Sequence, residues 1–235
     1  MRRTGLLWVA IAASAILISG CSNPEGTKPP SSEHPAGGSG GVGTGGAGAN
    51  LSDGEFVRDV ALKNMAEVEL SRMALDKTTN LDIKSFAQRV INDHGVAAHN
   101  LKSAVSGHPI EWPAQLDDRH REIADELAKK QGADFDRAYA EAMVDGHQNL
   151  AAKLESRLEV QSLADWKAAA AGRTHSRALP EPKIALRDVQ VRPIKSSSEV
   201  TMKINQWAAD TYPVAQKHLD TARLLETKTN KLSTD

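Results

Sequence analysis

Four residues, Glu67, His94, His147 and His218, have the types and positions to act together chemically. Three imidazoles and a carboxylate form a donor set for one transition-metal ion, and their softness admits zinc, iron, manganese or copper. The same groups also suit a small ligand, or a buried hydrogen-bonded layer that only fixes helix register, with Asn64, Ser71 and Thr211 as partners. Asp93, beside His94 and about 90° from the apolar stripe at 100° per residue, either orients a histidine from behind or pairs with Arg89 or Arg137 on the surface. His120 reads as a core histidine of a shorter helix, and His34, His99, His108 and His175 as surface or loop residues. No Ser-His-Asp order, phosphate-binding loop or paired catalytic carboxylates stand out, so the sequence names no catalytic residue. An oxidoreductase using the metal ranks behind a binding module and a structural or interaction protein.

The elements that must bring these groups together are helices. Ser52-Asp53-Gly54-Glu55 is a capping box that opens a helix to about Lys77, with Val57, Ala61, Val68 and Leu75 as its stripe. Glu67 lies on its flank, about 70° from the stripe centre, with Asn64 nearer to that centre and Glu69 on the other side. A second helix, about Leu81–Ser106, carries Ile83, Ala87, Val90, His94, Ala97, Leu101 and Val105 at three- and four-residue steps and stops at Gly107-His108-Pro109. A short helix, about Gln115–Lys130, turns Leu116, His120, Ile123 and Leu127 inward. The fourth, from about Asp134, presents Phe135, Tyr139, Met143, His147, Leu150, Leu154 and Leu158, and the last carries Val200, Ile204, Trp207, Thr211, Ala215, His218, Ala222 and Leu225 after a cap at Ser196–Glu199. In an antiparallel pair, Glu67 and His94 differ in level by about three residues, or about 5 Å of rise, so one mid-bundle polar layer is feasible. The pattern describes an all-α antiparallel four-helix bundle with an added short helix. Only 4% of residues are aromatic, which agrees with a helical rather than a sandwich fold.

Residues 172–198 break the pattern: Pro180, Pro182 and Pro193 accompany six basic and two acidic side chains, and Ile184, Leu186, Val189 and Val191 alternate as in a short hairpin. This irregular basic insertion is a solvated loop or a contact surface for headgroups, peptidoglycan or an envelope partner.

The N-terminal part is a different polymer. Of 17 glycines, nine fall within residues 22–50, a Pro-, Ser- and Gly-rich stretch expected to be a disordered tether with a reach of roughly 30 Å. Before it, Arg2 and Arg3 precede an apolar run from Gly5 to Ile18, the pattern of a signal peptide over residues 1–20. Leu17-Ile18-Ser19-Gly20-Cys21 resembles the bacterial lipobox, which implies lipidation of Cys21, the sole cysteine of the 235 residues, and membrane anchorage. Ser22 in place of aspartate directs the mature protein to the outer membrane, facing the periplasm, if the host is Gram-negative. One cysteine excludes a disulfide framework, and a formal net charge of −1 excludes a generally basic nucleic-acid binder. The bundle domain is residues 51–235.

Several of these segments together resemble the bacterial domain-of-unknown-function 4142 family. They are Asn64-Met65-Ala66-Glu67-Val68-Glu69-Leu70, Ile83-Lys84-Ser85-Phe86-Ala87, Val90-Ile91-Asn92-Asp93-His94, Phe135-Asp136-Arg137-Ala138-Tyr139 with His147, and Tyr212-Pro213 followed by His218-Leu219. The resemblance spans about residues 52–226 and implies a ferritin-like bundle in predicted outer-membrane or periplasmic proteins. It carries Glu67, Asp93, His94, His147 and His218 over as motif positions, and no reaction. Glu-x-x-His, by which ferritin-like bundles hold two irons, is absent, and Asp117-x-x-His120 is its nearest approach. Residues 172–198 are longer than the link the family usually has there.

Overall fold

The computed structural model describes residues 52–174 and 189–232, all within one compact unit. The signal peptide, Cys21, the tether and the alternating Ile184 and Leu186 lie outside the described residues. The described part is an all-α bundle of six helices: α1 (Asp53–Lys77), α2 (Leu81–Ala104), α3 (Asp118–Ala128), α4 (Gly132–Glu155), α5 (Val160–Thr174) and α6 (Glu199–Leu232).

Local chemistry sets the boundaries. The Ser52 hydroxyl accepts from the Glu55 amide while the Glu55 carboxylate accepts from Ser52 N at 2.9 Å, so α1 opens on the capping box. Only Thr78–Asn80 separates α1 from α2, and Asn80 caps α2 through the amides of Asp82 and Ile83. Gly107, at φ +81°, takes the left-handed conformation that turns the chain away after α2. Asp117 caps α3 at the His120 amide, two to three residues later than the apolar pattern suggests. Ser198 accepts from the Thr201 amide to start α6.

Four long helices form a ring in the order α1, α2, α6, α4, and named contacts show each neighbouring pair antiparallel. Glu67 of α1 meets His94 of α2, and Ser71 meets Tyr139 of α4, while Asp53 at the other end of α1 meets Arg157 just beyond α4. Asp93 meets His218 and Asp82 meets Lys228 across α2 and α6, and Glu155 meets Tyr212 across α4 and α6.

The core falls into two apolar clusters. One gathers Phe56, Val57, Val60, Leu101, Leu150, Leu154, Ile204 and Trp207. The other gathers Leu70, Ile83, Phe86, Val90, Phe135, Tyr139, Met143 and Leu219. On each ring helix the boundary between them falls at the same level, between Val60 and Leu70, Val90 and Leu101, Val144 and Leu150, and Ala215 and Leu219. Burial of these side chains contributes about 25 cal/mol per Å² of apolar surface. The fold is therefore held from both ends, and its middle is left to polar groups.

Several readings of the sequence are corrected here. The buried face of α1 runs through Val60, Asn64, Glu67, Ser71 and Ala74, while Val68 and Leu75 are only half-buried. Glu67 is thus central rather than flanking. The fourth helix ends at Glu155, short of Leu158, which is buried in a turn beyond it. There Leu158 bridges Pro193, with Glu159 N donating to Arg192 O at 2.8 Å and Ile194 N to Arg157 O at 2.9 Å. The segment after residue 189 is consequently tied to the bundle, and Arg192 also pairs with Glu159 at 3.1 Å. Helix α5 runs to Thr174, into the stretch read as irregular from residue 172. Ile123 of α3 faces outward at 39% exposure, and Ala124 and Leu127 supply the buried face instead, because α3 touches the bundle along a narrow strip.

Candidate metal centre

The gap between the two clusters is filled by Glu67, His94, His147 and His218, one from each ring helix, exposed by 3%, 4%, 0% and 0%. The donor nitrogens of the three histidines lie within 4.8 Å of one another. Ring centroids stand 5.3 Å apart for His94 and His147, 5.5 Å for His94 and His218, and 5.2 Å for His147 and His218. Glu67 Oε2 lies 3.2 Å from His94 Nδ1 and 3.6 Å from His147 Nε2. Phe86 closes the site towards the second cluster, its ring 6.0 Å from His218 and 6.3 Å from His147. The four sequence-selected residues are brought together.

Two of the rings have their outer nitrogen engaged. His147 Nδ1 donates to the Met143 carbonyl at 2.9 Å, one helical turn back. His218 Nε2 donates to Asp93 Oδ2 at 2.9 Å, across from α6 to α2. Each bond fixes the tautomer and turns the other nitrogen's lone pair inward, as in metal sites whose ligands are oriented from behind. Asp93 therefore orients a histidine, and Arg137 pairs with Asp134 at 2.6 Å instead. Inside, His94 Nδ1, His147 Nε2, His218 Nδ1 and both oxygens of Glu67 are buried with no hydrogen-bond partner. Buried polar atoms are satisfied almost everywhere in folded proteins, so five unpartnered at one point is a chemical signal.

The electrostatics follow from burial. Desolvation pushes the Glu67 carboxyl up to about 8, with Lys63 opposing weakly. Desolvation holds the His94 imidazole well below its ordinary range, with His147 and His218 adding to the effect. It pulls His147 down to about 3, and His218 is lowered as well, against the pull of Asp93. The imidazoles are thus neutral at pH 7, the form that ligates a metal.

The register partners divide differently from the sequence reading. Asn64 Nδ2 donates to the His94 carbonyl at 2.8 Å, and the Ser71 hydroxyl pairs with the Tyr139 hydroxyl at 2.9 Å. Thr211 is half-buried on the wall of a groove between α2 and α6. His120 is half-buried with Nδ1 at 2.6 Å from Asp117 Oδ1, away from the four-residue layer. Glu69, His99 and His108 are exposed.

Gly146 is the residue that sequence reasoning misses. A Cβ there would stand 2.6 Å from Glu67 Oε1, so α4 makes room for the carboxylate by carrying no side chain. Its signal is a glycine inside a long helix immediately before a core histidine, where Ala would favour the helix by about 1 kcal/mol.

Comparison with known proteins gives no matching curated protein and no matching solved structure. A family model does match residues 43–176, a stretch that includes Glu67, Asp93, His94, Gly146 and His147 and stops before α6 with its Tyr212-Pro213 and His218. The chain belongs to the family described as Domain of unknown function (DUF4142).

Proposed function

We propose that this protein is a metal-binding module of the cell envelope, holding one zinc, iron, manganese or copper ion between Glu67, His94, His147 and His218. One observation carries the reading: lone pairs from four helices converge, buried and unpartnered, while Met143 and Asp93 fix two rings from outside. A layer built only for register would satisfy itself. Here the single proton that Glu67 accepts serves at most one of the inward nitrogens, and His218 Nδ1 has no donor. A cation satisfies all of them at once. Tetrahedral ligands about 2.1 Å from zinc stand about 3.4 Å apart, so the rings draw together on binding by about 1 Å. Neutral imidazoles plus one carboxylate leave a divalent ion with one residual charge, which Asp93 offsets through His218.

Lipid attachment at Cys21 and, if the host is Gram-negative, an outer-membrane address facing the periplasm complete the proposal, and rest on the lipobox-like sequence. Among the described residues no helix is long and apolar enough to cross a membrane, so anchorage would fall to the lipid. Replacing Cys21 with Ser is expected to release the protein from membranes, and continued retention would count against the anchor.

A second reading, a non-catalytic structural or interaction protein, keeps the same layer as a register device. The bond from Asn64 to the His94 backbone favours it, since it ties α1 to α2 with no part in ligation. Metal analysis of the purified full chain separates the two. Binding predicts one ion per chain and, at an ion concentration about a thousandfold above Kd, roughly 4 kcal/mol of added stability. No bound ion, and no melting shift with any of the four metals, refutes the metal reading.

A further inference from the structure

We propose that the cavity between α1, α3 and α4 is the vestibule through which a divalent cation reaches the buried donors, with His120, Glu141 and Asp145 as its capture groups. The inference rests on the metal reading above and adds the direction of entry and the residues that serve it.

The donors are almost completely enclosed, so an ion must pass between helices. Among the described residues, two cavities come up to the layer. The groove between α2 and α6, about 750 Å³, touches it only through Asp93, whose carboxylate is committed to His218 Nε2. From that side the imidazole ring stands between an ion and the lone pairs. The cavity between α1, α3 and α4, about 340 Å³, has Glu67 itself in its wall. Both Glu67 oxygens are buried and unpartnered, and Gly146 beside them leaves no side chain in the way. Ala66, Ala138 and Ala142 keep part of the wall short as well, beside the longer Leu70, Ile123 and Asn149.

The lining suits a cation. Two basic groups, Lys63 and Arg119, share the wall; Lys63 pairs with Asp59 at 3.4 Å, whereas Glu141 and Asp145 have no ion-pair partner among the described residues. His120 hydrogen-bonds through Nδ1 to Asp117 Oδ1 at 2.6 Å. That bond places the ring proton on the Asp117 side and leaves Nε2 as a free lone pair, the same arrangement that Asp93 imposes on His218. A carboxylate-lined cleft also concentrates cations and raises their capture rate. An ion would exchange water for His120, Asp145 or Glu141 at the mouth, then for Glu67, and finally for the three inner imidazoles.

A route and a ligand set differ kinetically. A residue on the route changes association and dissociation by the same factor, whereas a ligand changes Kd. The test measures cobalt(II) uptake by the full chain in a rapid-mixing experiment and its release to a chelator. Ala142→Trp is expected to slow both rates by about tenfold or more with Kd unchanged, and Val96→Trp, in the opposite groove, to leave both alone. The exposed pair Glu141→Gln and Asp145→Asn, which perturbs no core packing, is expected to slow capture about tenfold at low ionic strength, with the difference fading in salt. If Ala142→Trp fails to fold, this acidic pair decides. Wild-type rates in the variants, alongside tight cobalt binding by the wild-type chain, overturn the vestibule alone. A wild-type chain that takes up neither cobalt nor any of zinc, iron, manganese and copper overturns the vestibule together with the metal reading.

Discussion

Replacing Glu67 with methionine tests whether the mid-bundle layer exists for stability or at its expense. Methionine approximates the volume of glutamate and adapts to irregular space, so the substitution removes the polar oxygens with little change in packing. In the metal-free protein Glu67 is buried, its oxygens are unpartnered, and its carboxyl is pushed from 4.5 up to about 8. An acid whose folded pKa is raised binds its proton more tightly folded than unfolded, so stability falls as pH rises from 4.5 to about 8 and levels off above. Each pH unit in that window is worth about 1.4 kcal/mol, which makes the cost of Glu67 at pH 7 on the order of 3 kcal/mol. For a domain of this size about 2–4 °C of melting temperature accompanies each kcal/mol. The chelator-treated variant is therefore expected to melt roughly 6–12 °C higher at pH 7, with the gain shrinking towards pH 5. The wild-type rise in melting temperature with metal is expected to be largely lost. Thermal melts of both proteins across this pH range, with chelator and with metal, measure all three effects. A metal-free variant that melts several degrees lower at pH 7 would refute the reasoning, because it would mean the carboxyl is a satisfied structural group.

Other substitutions separate the parts of the site. Gly146→Ala adds a methyl 2.6 Å from Glu67 Oε1, so metal affinity is expected to fall about tenfold or more, and the displaced carboxylate to offset the helix preference of alanine in the metal-free protein, read by competitive titration and melting. Asp93→Asn keeps the shape but removes the charge behind His218, and is expected to weaken metal binding about 10- to 100-fold with little change in metal-free stability. Tyr139→Phe leaves the Ser71 hydroxyl without its partner in the core and is expected to cost about 1–3 kcal/mol in chemical denaturation, with metal affinity unchanged.

The histidines are legible in the sequence because each interrupts an otherwise apolar stripe at a core step, and on α2, α4 and α6 those stripes are nearly pure. The glutamate is harder to place. The inward face of α1 carries Asn64, Glu67 and Ser71, so apolar periodicity settles on the neighbouring line of Val57, Ala61, Val68 and Leu75 and turns the apparent centre away from the site. Helix α5 is missed for a related reason: Val160 is exposed, and Leu163 and Trp166, which pack against the core, are too short a stripe to stand out among the alanines. The partner of Asp93 lies 125 residues away, and the clearance at Gly146 exists only because Glu67 sits opposite. Pairings of that kind arise from the ring order of the helices, which no local pattern encodes.

X-ray absorption spectroscopy at the metal edge of the loaded full chain, compared with its His147→Leu variant, tests the central claim most directly. One ion per chain with three imidazole nitrogens at about 2.0–2.1 Å and one carboxylate oxygen is expected, a signature lost in the variant. An ion without that imidazole shell, or one unaffected by the loss of His147, would contradict it.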